Sequence, residues 1–217
     1  MVAGRMDRQY LLIDADDTLW ENNVYFERAI EAFIEYLAHS TLAPAEVRAV
    51  LDEIERESKG YGSASFARNL EATFRRLAER EVTADELTRV HGFAEEIRRH
   101  PMELIAGVEE TLAYLAPLHE LALVTKGDAD EQRLKIEASG LADRFFGRAI
   151  IVPEKDVTTY RRLTGELALE TERAWMIGNS PRSDINPALA AGLNAVYVPH
   201  PQTWRLEHEE IAYDGNG

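Results

Sequence analysis

An open, doubly wound parallel α/β sheet with an inserted all-helical domain is the fold the sequence predicts, on three observations. Five short apolar runs recur along the chain, at Tyr10–Ile13, 121–124, 149–152, 174–177 and 195–198. Segments with helical spacing follow the second, third and fourth of them. Between the first and second runs lies a long helical stretch, where a crossover helix needs only about a dozen residues.

Each run is near-continuously apolar, as strands covered on both faces of a parallel sheet are. After the second run, 131–139 leads to a turn at Gly140. After the third, Val157, Tyr160, Leu163 and Leu167 lie at helical spacing. After the fourth, 187–191 ends at Gly192, suited to the left-handed residue past a helix end. The long stretch carries four amphipathic stripes. They are Phe26, Ile30, Phe33, Ile34 and Leu37; Val47, Val50, Leu51 and Ile54; Phe66, Leu70, Phe74 and Leu77; and Leu87, Val90, Ala94 and Ile97. Pro44, the Gly60/Gly62 pair and Val82 with Thr83 separate them. Pro101 breaks the pattern, and Val108, Leu112 and Leu115 begin a further helix. The expected domains are an α/β core over 1–23 and 101–217 and a helical domain over 24–100.

Composition narrows the function classes. The 217 residues are 45% hydrophobic and 29% charged, which suits a folded core and excludes disordered, collagen-like and coiled-coil chains. No apolar run approaches the ~20 residues of a membrane span, and the start MVAGRMDRQY has no apolar segment of the secretory kind. The absence of cysteine excludes disulfides and thiolate metal sites and fits a cytoplasmic setting. Lys and Arg number 24 against 39 Asp and Glu, a net charge of −15, so neither nucleic acid nor membrane is an expected partner. A small anion is admissible where a cation or an oriented backbone meets it, so a metal is to be looked for. Nothing in the sequence fixes an oligomeric state.

The chemistry-bearing residues fall where such a sheet binds ligands, beyond the carboxyl ends of the strands. After the first run come Asp14, Asp16 and Asp17, then Thr18 and Leu19. Three carboxylates at one edge repel one another unless a cation neutralises them, and hard oxygen donors select Mg²⁺ over softer metals. After the second come Thr125, Lys126 and Gly127, a hydroxyl followed by two backbone N–H groups, which together form a small anion cradle. Lys155 follows the third run, and Asn179 and Asp184 follow the fourth. Taken singly, these features also read as a solvated acidic turn, an ordinary turn, a surface lysine and a helix N-cap.

Together, in this order, they resemble the four motifs of the haloacid dehalogenase superfamily: DxDx(T/V), then Ser/Thr, then Lys, then an acidic loop. The likeness runs from Asp14 to about Gly192, and the helical insertion after the first motif is similar to that superfamily's type 1 cap. The resemblance implies a Rossmann-like core and a cap that closes over the site. For activity it implies an Mg²⁺-dependent phosphatase, a phosphoric monoester hydrolase, acting on a small phosphorylated metabolite. Asp14 would be the nucleophile that forms an aspartyl-phosphate, and Asp16 would protonate the leaving oxygen and then deprotonate water. Thr125, the N–H groups of Lys126 and Gly127, and Lys155 would hold the phosphoryl oxygens. Asp14, the Asp16 carbonyl, Asn179 and Asp184 would hold the metal. Asp16 favours phosphoryl transfer over halide displacement, which needs no acid at that place. A phosphomutase of the same superfamily and a catalytically silent binding protein on this fold are the alternatives.

Asn179 departs from the pattern, since many phosphatases of the superfamily carry Asp there; its carbonyl oxygen can ligate but adds no charge. The Lys126 side chain is expected to be solvated. Trp20, Tyr25 and Phe26 sit at the domain junction, where facing substrate and packing at a hinge are both open. The six histidines, His39, His91, His100, His119, His200 and His208, show no metal-ligand spacing, so surface positions are expected. Trp204 is expected to dock on the core, and 214–217 to fray.

Overall fold

The computed structural model describes residues 8–58 and 60–212; the expectation for 214–217 lies outside them. The chain divides into two compact units, one running up to Glu21 and on from Met102, the other from Asn22 to Pro101.

The first unit is built on five parallel strands: β1 (Tyr10–Ile13), β2 (Glu120–Lys126), β3 (Arg148–Val152), β4 (Ala174–Gly178) and β5 (Asn194–Tyr197). Their order is β3-β2-β1-β4-β5. The chain thus leaves β1 first toward one edge and later toward the other, which makes β1 the switch point of the sheet. Side chains of successive residues face opposite sides of a strand, and the core follows that alternation. Leu11, Ile13, Leu121 and Leu123 pack on one face with Val108, Leu112 and Ile136. Leu12, Val124, Ala174 and Met176 pack on the other with Tyr160, Leu163 and Ala188. The covering helices are α5 (Val108–Leu115), α6 (Ala129–Ser139), the single turn α7 (Ala142–Phe145), α8 (Val157–Glu166) and α9 (Asn186–Ala190), numbered after the four described next. β2 runs two residues beyond the expected 121–124, because Thr125 and Lys126 continue the ladder opposite Ile151 and Val152.

The second unit is four helices: α1 (Asn23–Leu37), α2 (Pro44–Glu57), α3 (Gly62–Leu77) and α4 (Ala84–Arg99). Pro44 opens α2 at its first turn, where its missing N–H has no intrahelical partner to lose. Thr83 caps α4 by accepting from the Glu86 N–H, and the Glu86 side chain reaches back to the Thr83 N–H. The stripes meet in one core of Ile30, Phe33, Val47, Leu51, Phe66, Leu70, Phe74, Val90 and Phe93. Phe33 meets Phe74 and Phe93 edge-on, at 6.5 and 6.4 Å between centroids. Apolar spacing does not foresee the buried polar side of α2. There Arg48 bonds Asp52 at 2.7 Å and Glu27 at 2.8 Å, and burial without these partners would be costly.

Candidate functional site at the carboxyl edge of the sheet

β1 ends at Ile13, beside Leu123 of β2 and Ile177 of β4, so Asp14 emerges from the middle of the sheet. It is 6% exposed. Its N–H donates to the Ile177 carbonyl at 2.9 Å, which extends the ladder by one residue and fixes the carboxylate's direction. Thr18 Oγ1 donates to Asp14 Oδ2 at 3.0 Å, and a second contact at 3.3 Å joins it to Asn179 Oδ1. Lys155 Nζ donates to Asp14 Oδ1 and, at 2.7 Å, to Asp184 Oδ1. Lys155 itself is 3% exposed.

The electrostatics follow from that burial. Desolvation and the neighbouring Asp184 carboxylate push Asp14 up to about 7, although Lys155 pulls the other way. Burial opposes the charge on Lys155, yet Asp14 and Asp184 outweigh it and hold the ammonium above its ordinary range. Two carboxylates against one lysine leave a negative excess in a dry place. Asp14, Asn179 and Asp184 offer hard oxygen donors there, so the residues present fit a divalent cation.

Asp184 owes its place to a local device. Ser180 starts a short π-helical turn over Pro181–Ile185, and its hydroxyl accepts from the Ser183 N–H. Asp184 Oδ2 then accepts the Ser180 N–H at 3.0 Å. Gly178 makes the room: a Cβ there would lie 2.2 Å from Asp184 Oδ2. Asn179 Nδ2 donates to Thr203 Oγ1 at 3.0 Å, which leaves the amide oxygen facing the Thr18 hydroxyl.

Asp16 and Thr125 belong to a second group. Asp16 accepts from Trp20 Nε1 at 2.7 Å, Gln132 Nε2 at 2.8 Å and Lys135 Nζ at 3.0 and 3.1 Å. Thr125 is 1% exposed, and its hydroxyl donates to Gln132 Oε1 at 3.2 Å. Lys126 heads a third group, bonding Ser183 at 2.7 Å, Glu207 at 2.8 Å and Glu154 at 3.3 Å. Glu207 is 7% exposed and also accepts from the Ser180 and Ser183 hydroxyls. Burial pushes its carboxyl up, but Lys126 and the two hydroxyls outweigh this and hold it below the usual range.

Several expectations need correction. The Gly127 N–H is bonded to the Val152 carbonyl at 3.2 Å, because β2 keeps pairing with β3 past the expected strand end. One of the two N–H groups expected to form a cradle is thus engaged within the sheet. The Lys126 side chain is not solvated but ion-paired with Glu207 and Glu154. His200 is not a surface residue: its side chain is 11% exposed, with Nε2 3.3 Å from Glu21 and Nδ1 3.9 Å from Asp17. These three residues could group around a metal ion. However, Nδ1 also accepts the Gln202 N–H at 3.2 Å, so both ring nitrogens already have partners. His39 likewise is mostly covered, its ring accepting the N–H groups of Thr41 and Leu42.

At the junction, Trp20 is fully buried in the core with its indole N–H on Asp16, and Tyr25 stacks on His100 at 3.8 Å. Phe26 meets Phe66 edge-on. These are packing positions. Trp204 is half-buried and follows the buried Thr203. Sequence reasoning missed Gln132, Lys135, Thr203 and Glu207. The first two lie three apart on the helix that follows the Thr125 loop, a spacing shared by any two residues on one helix face.

A family model for haloacid dehalogenase-like hydrolases matches residues 9–192. A crystal structure of a hydrolase of that family from Xanthomonas campestris is similar at 37% identity, covering 88% of this chain and 83% of that one, with a TM-score of 0.77. A magnesium-bound putative hydrolase of the same superfamily from Bacillus subtilis shares the fold at 21% identity, covering 88% and 86%, with a TM-score of 0.60. A phosphoserine phosphatase of Thermus thermophilus is 31% identical over 138 residues, 59% of this chain and 53% of that protein. The chain thus spans about half the length of that curated relative.

Proposed function

The chain belongs to the haloacid dehalogenase-like hydrolases, and on that premise we propose that it is an Mg²⁺-dependent phosphatase of a small phosphorylated metabolite in the cytoplasm. The observation that carries this reading is Asp14, buried at the switch point of the sheet and held by Lys155 and Thr18. A carboxylate at Asp16 stands two residues on. The likeness to a phosphoserine phosphatase supports the same reaction class.

In the proposed reaction the Asp14 carboxylate attacks phosphorus and forms an aspartyl-phosphate while the ester oxygen departs with a proton from Asp16. Asp16, now anionic, takes a proton from water as that water attacks the same phosphorus, and Asp14 is released with inorganic phosphate. Lys155 holds Asp14 in line and offers positive charge to the phosphoryl oxygens, and the Thr125 hydroxyl, which donates to Gln132 Oε1 without substrate, would turn to a phosphoryl oxygen. Most of the rate comes from such positioning and charge complementarity. Mg²⁺, when bound by Asp14, the Asp16 carbonyl, Asn179 and Asp184, supplies charge that lets an anionic ester approach an anionic nucleophile. The same proposal gives residues 24–100 the role of a cap that selects the substrate.

A phosphate-release screen over a metabolite panel, with and without Mg²⁺, tests this. Release from at least one ester, lost on chelation, is the expected result; no release from any ester would overturn it. The metal loop gives a sharper expectation. Asp184→Asn removes the carboxylate that this loop contributes and should weaken Mg²⁺ roughly tenfold or more, since one full charge interaction is lost. Asn179→Asp should tighten Mg²⁺ without a matching gain in turnover, because added negative charge also repels the ester. Mg²⁺ titrations of activity and of melting temperature check both. An unchanged metal requirement in Asp184→Asn would leave Asp184 as a structural partner of Lys155 and the Ser180 N–H alone.

A further inference from the structure

Asp16 is gripped from one side by α6. Gln132 and Lys135 stand three positions apart, so both side chains leave the same face of that helix. Lys135 Nζ reaches both carboxylate oxygens of Asp16, at 3.0 and 3.1 Å, and Gln132 Nε2 reaches Oδ2 at 2.8 Å. Trp20 Nε1, fully buried, approaches Oδ1 from another direction at 2.7 Å. Gln132 is 4% exposed, and its other amide atom accepts the Thr125 hydroxyl. Its amide thus bridges the two, with its carbonyl to Thr125 and its NH₂ to Asp16.

Local structure prepares this arrangement. Asp128 caps α6 by accepting the N–H groups of Asp130 and Glu131, which fixes the start of the helix next to the Thr125 loop. Gly127, at a φ of +139°, leaves space for Gln132: a Cβ there would lie 3.2 Å from Gln132 Nε2. Charge fits as well. Lys135 pairs with Asp16 as Lys155 does with Asp14 and Asp184, and its charge steadies the anion that Asp16 becomes once its proton has gone to the ester oxygen.

We propose that Gln132 and Lys135 are positioning residues for Asp16, coupling the proton carrier to the Thr125 loop that meets the phosphoryl group. The inference rests on the reading of Asp16 as the acid for the leaving oxygen. An acid serves a departing alkoxide only from one rotamer, with its oxygen within hydrogen-bond reach of the ester oxygen. A carboxylate with two or three rotamers of equal energy would spend most of its time elsewhere. Lys135 and Gln132 remove that freedom without touching substrate. Loss of either should act only on the steps in which Asp16 moves a proton.

The test compares an aryl phosphate, whose leaving group needs little proton donation, with an alkyl phosphate, whose alkoxide needs it fully. In single-turnover measurements of the first step, Lys135→Met should lose about tenfold or more with the alkyl ester and less than about threefold with the aryl ester, within the range that positioned acids contribute. Lys135→Arg should recover most of the alkyl rate. Gln132→Leu should show the same alkyl bias, and it carries the comparison should Lys135→Met fail to fold. In an Asp16→Ala background, Lys135→Met should cost less than about twofold, because the group it positions is gone. Equal losses with both esters, or an undiminished loss in the Asp16→Ala background, would overturn the inference while leaving the phosphatase reading intact. Turnover retained in Asp14→Asn would overturn that reading, and this inference with it.

Discussion

Asp14→Asn is expected to abolish phosphate release while the protein stays folded. An amide cannot attack phosphorus, and loss of a nucleophile costs many decades of rate. The fold has little reason to respond. The amide oxygen of the substituted side chain can accept from Lys155 while its NH₂ donates to the Thr18 hydroxyl, Lys155 keeps Asp184 at 2.7 Å, and one buried like-charge repulsion is removed. Phosphate release, circular dichroism and a thermal melt measure both halves. Residual turnover above roughly a few per cent of the parent enzyme would remove Asp14 from the nucleophile's role.

Lys155→Met should be strongly destabilising. It leaves Asp14 and Asp184 buried together with no lysine between them, and stripping one partner from a buried ion pair costs about 3–5 kcal/mol. The loss should depend on pH. Burial and Asp184 push Asp14 up to about 7 even with Lys155 present. A carboxyl whose folded value lies above its unfolded one takes up a proton on folding. Stability then falls as pH rises from the unfolded value of about 3.9 to the folded one, and levels off above it. Without Lys155 the folded value rises further, so the deficit should be larger at pH 8 than at pH 5. Denaturant titrations at the two pH values measure it, and a deficit that does not grow with pH would mean that the carboxylates are not sharing a dry site.

The sheet and the helical unit were legible because their signals are local and periodic. Near-continuous apolar runs marked the strands, and stripes such as Phe66, Leu70 and Phe74 marked the helices. The end of β2 was not legible, since Thr125 and Lys126 carry no apolar signal and are held by pairing with β3. That same extension engages the Gly127 N–H, which spacing alone assigned to an anion. Asp14, Asp184, Asn179 and Lys155 were legible as candidates because each follows a strand end. Gln132, Lys135 and Glu207 were missed because their importance lies in partners far along the chain. Gln132 meets Asp16 across 116 positions and Glu207 meets Lys126 across 81. No local pattern separates a helix-surface lysine from one that folds back onto a carboxylate.

The most direct measurement is a rapid acid quench of the Asp16→Ala variant during turnover of an aryl phosphate with Mg²⁺, followed by mass mapping of the peptide that holds Asp14. In that variant the first step should proceed, since an aryl leaving group needs little acid, and the second should stall for want of a base. The expected result is a phosphoryl group on Asp14 that builds up with the burst of released phenol and is absent from Asp14→Asn. Phenol release with an unmodified Asp14 peptide, or a phosphoryl group on any other residue, would contradict it.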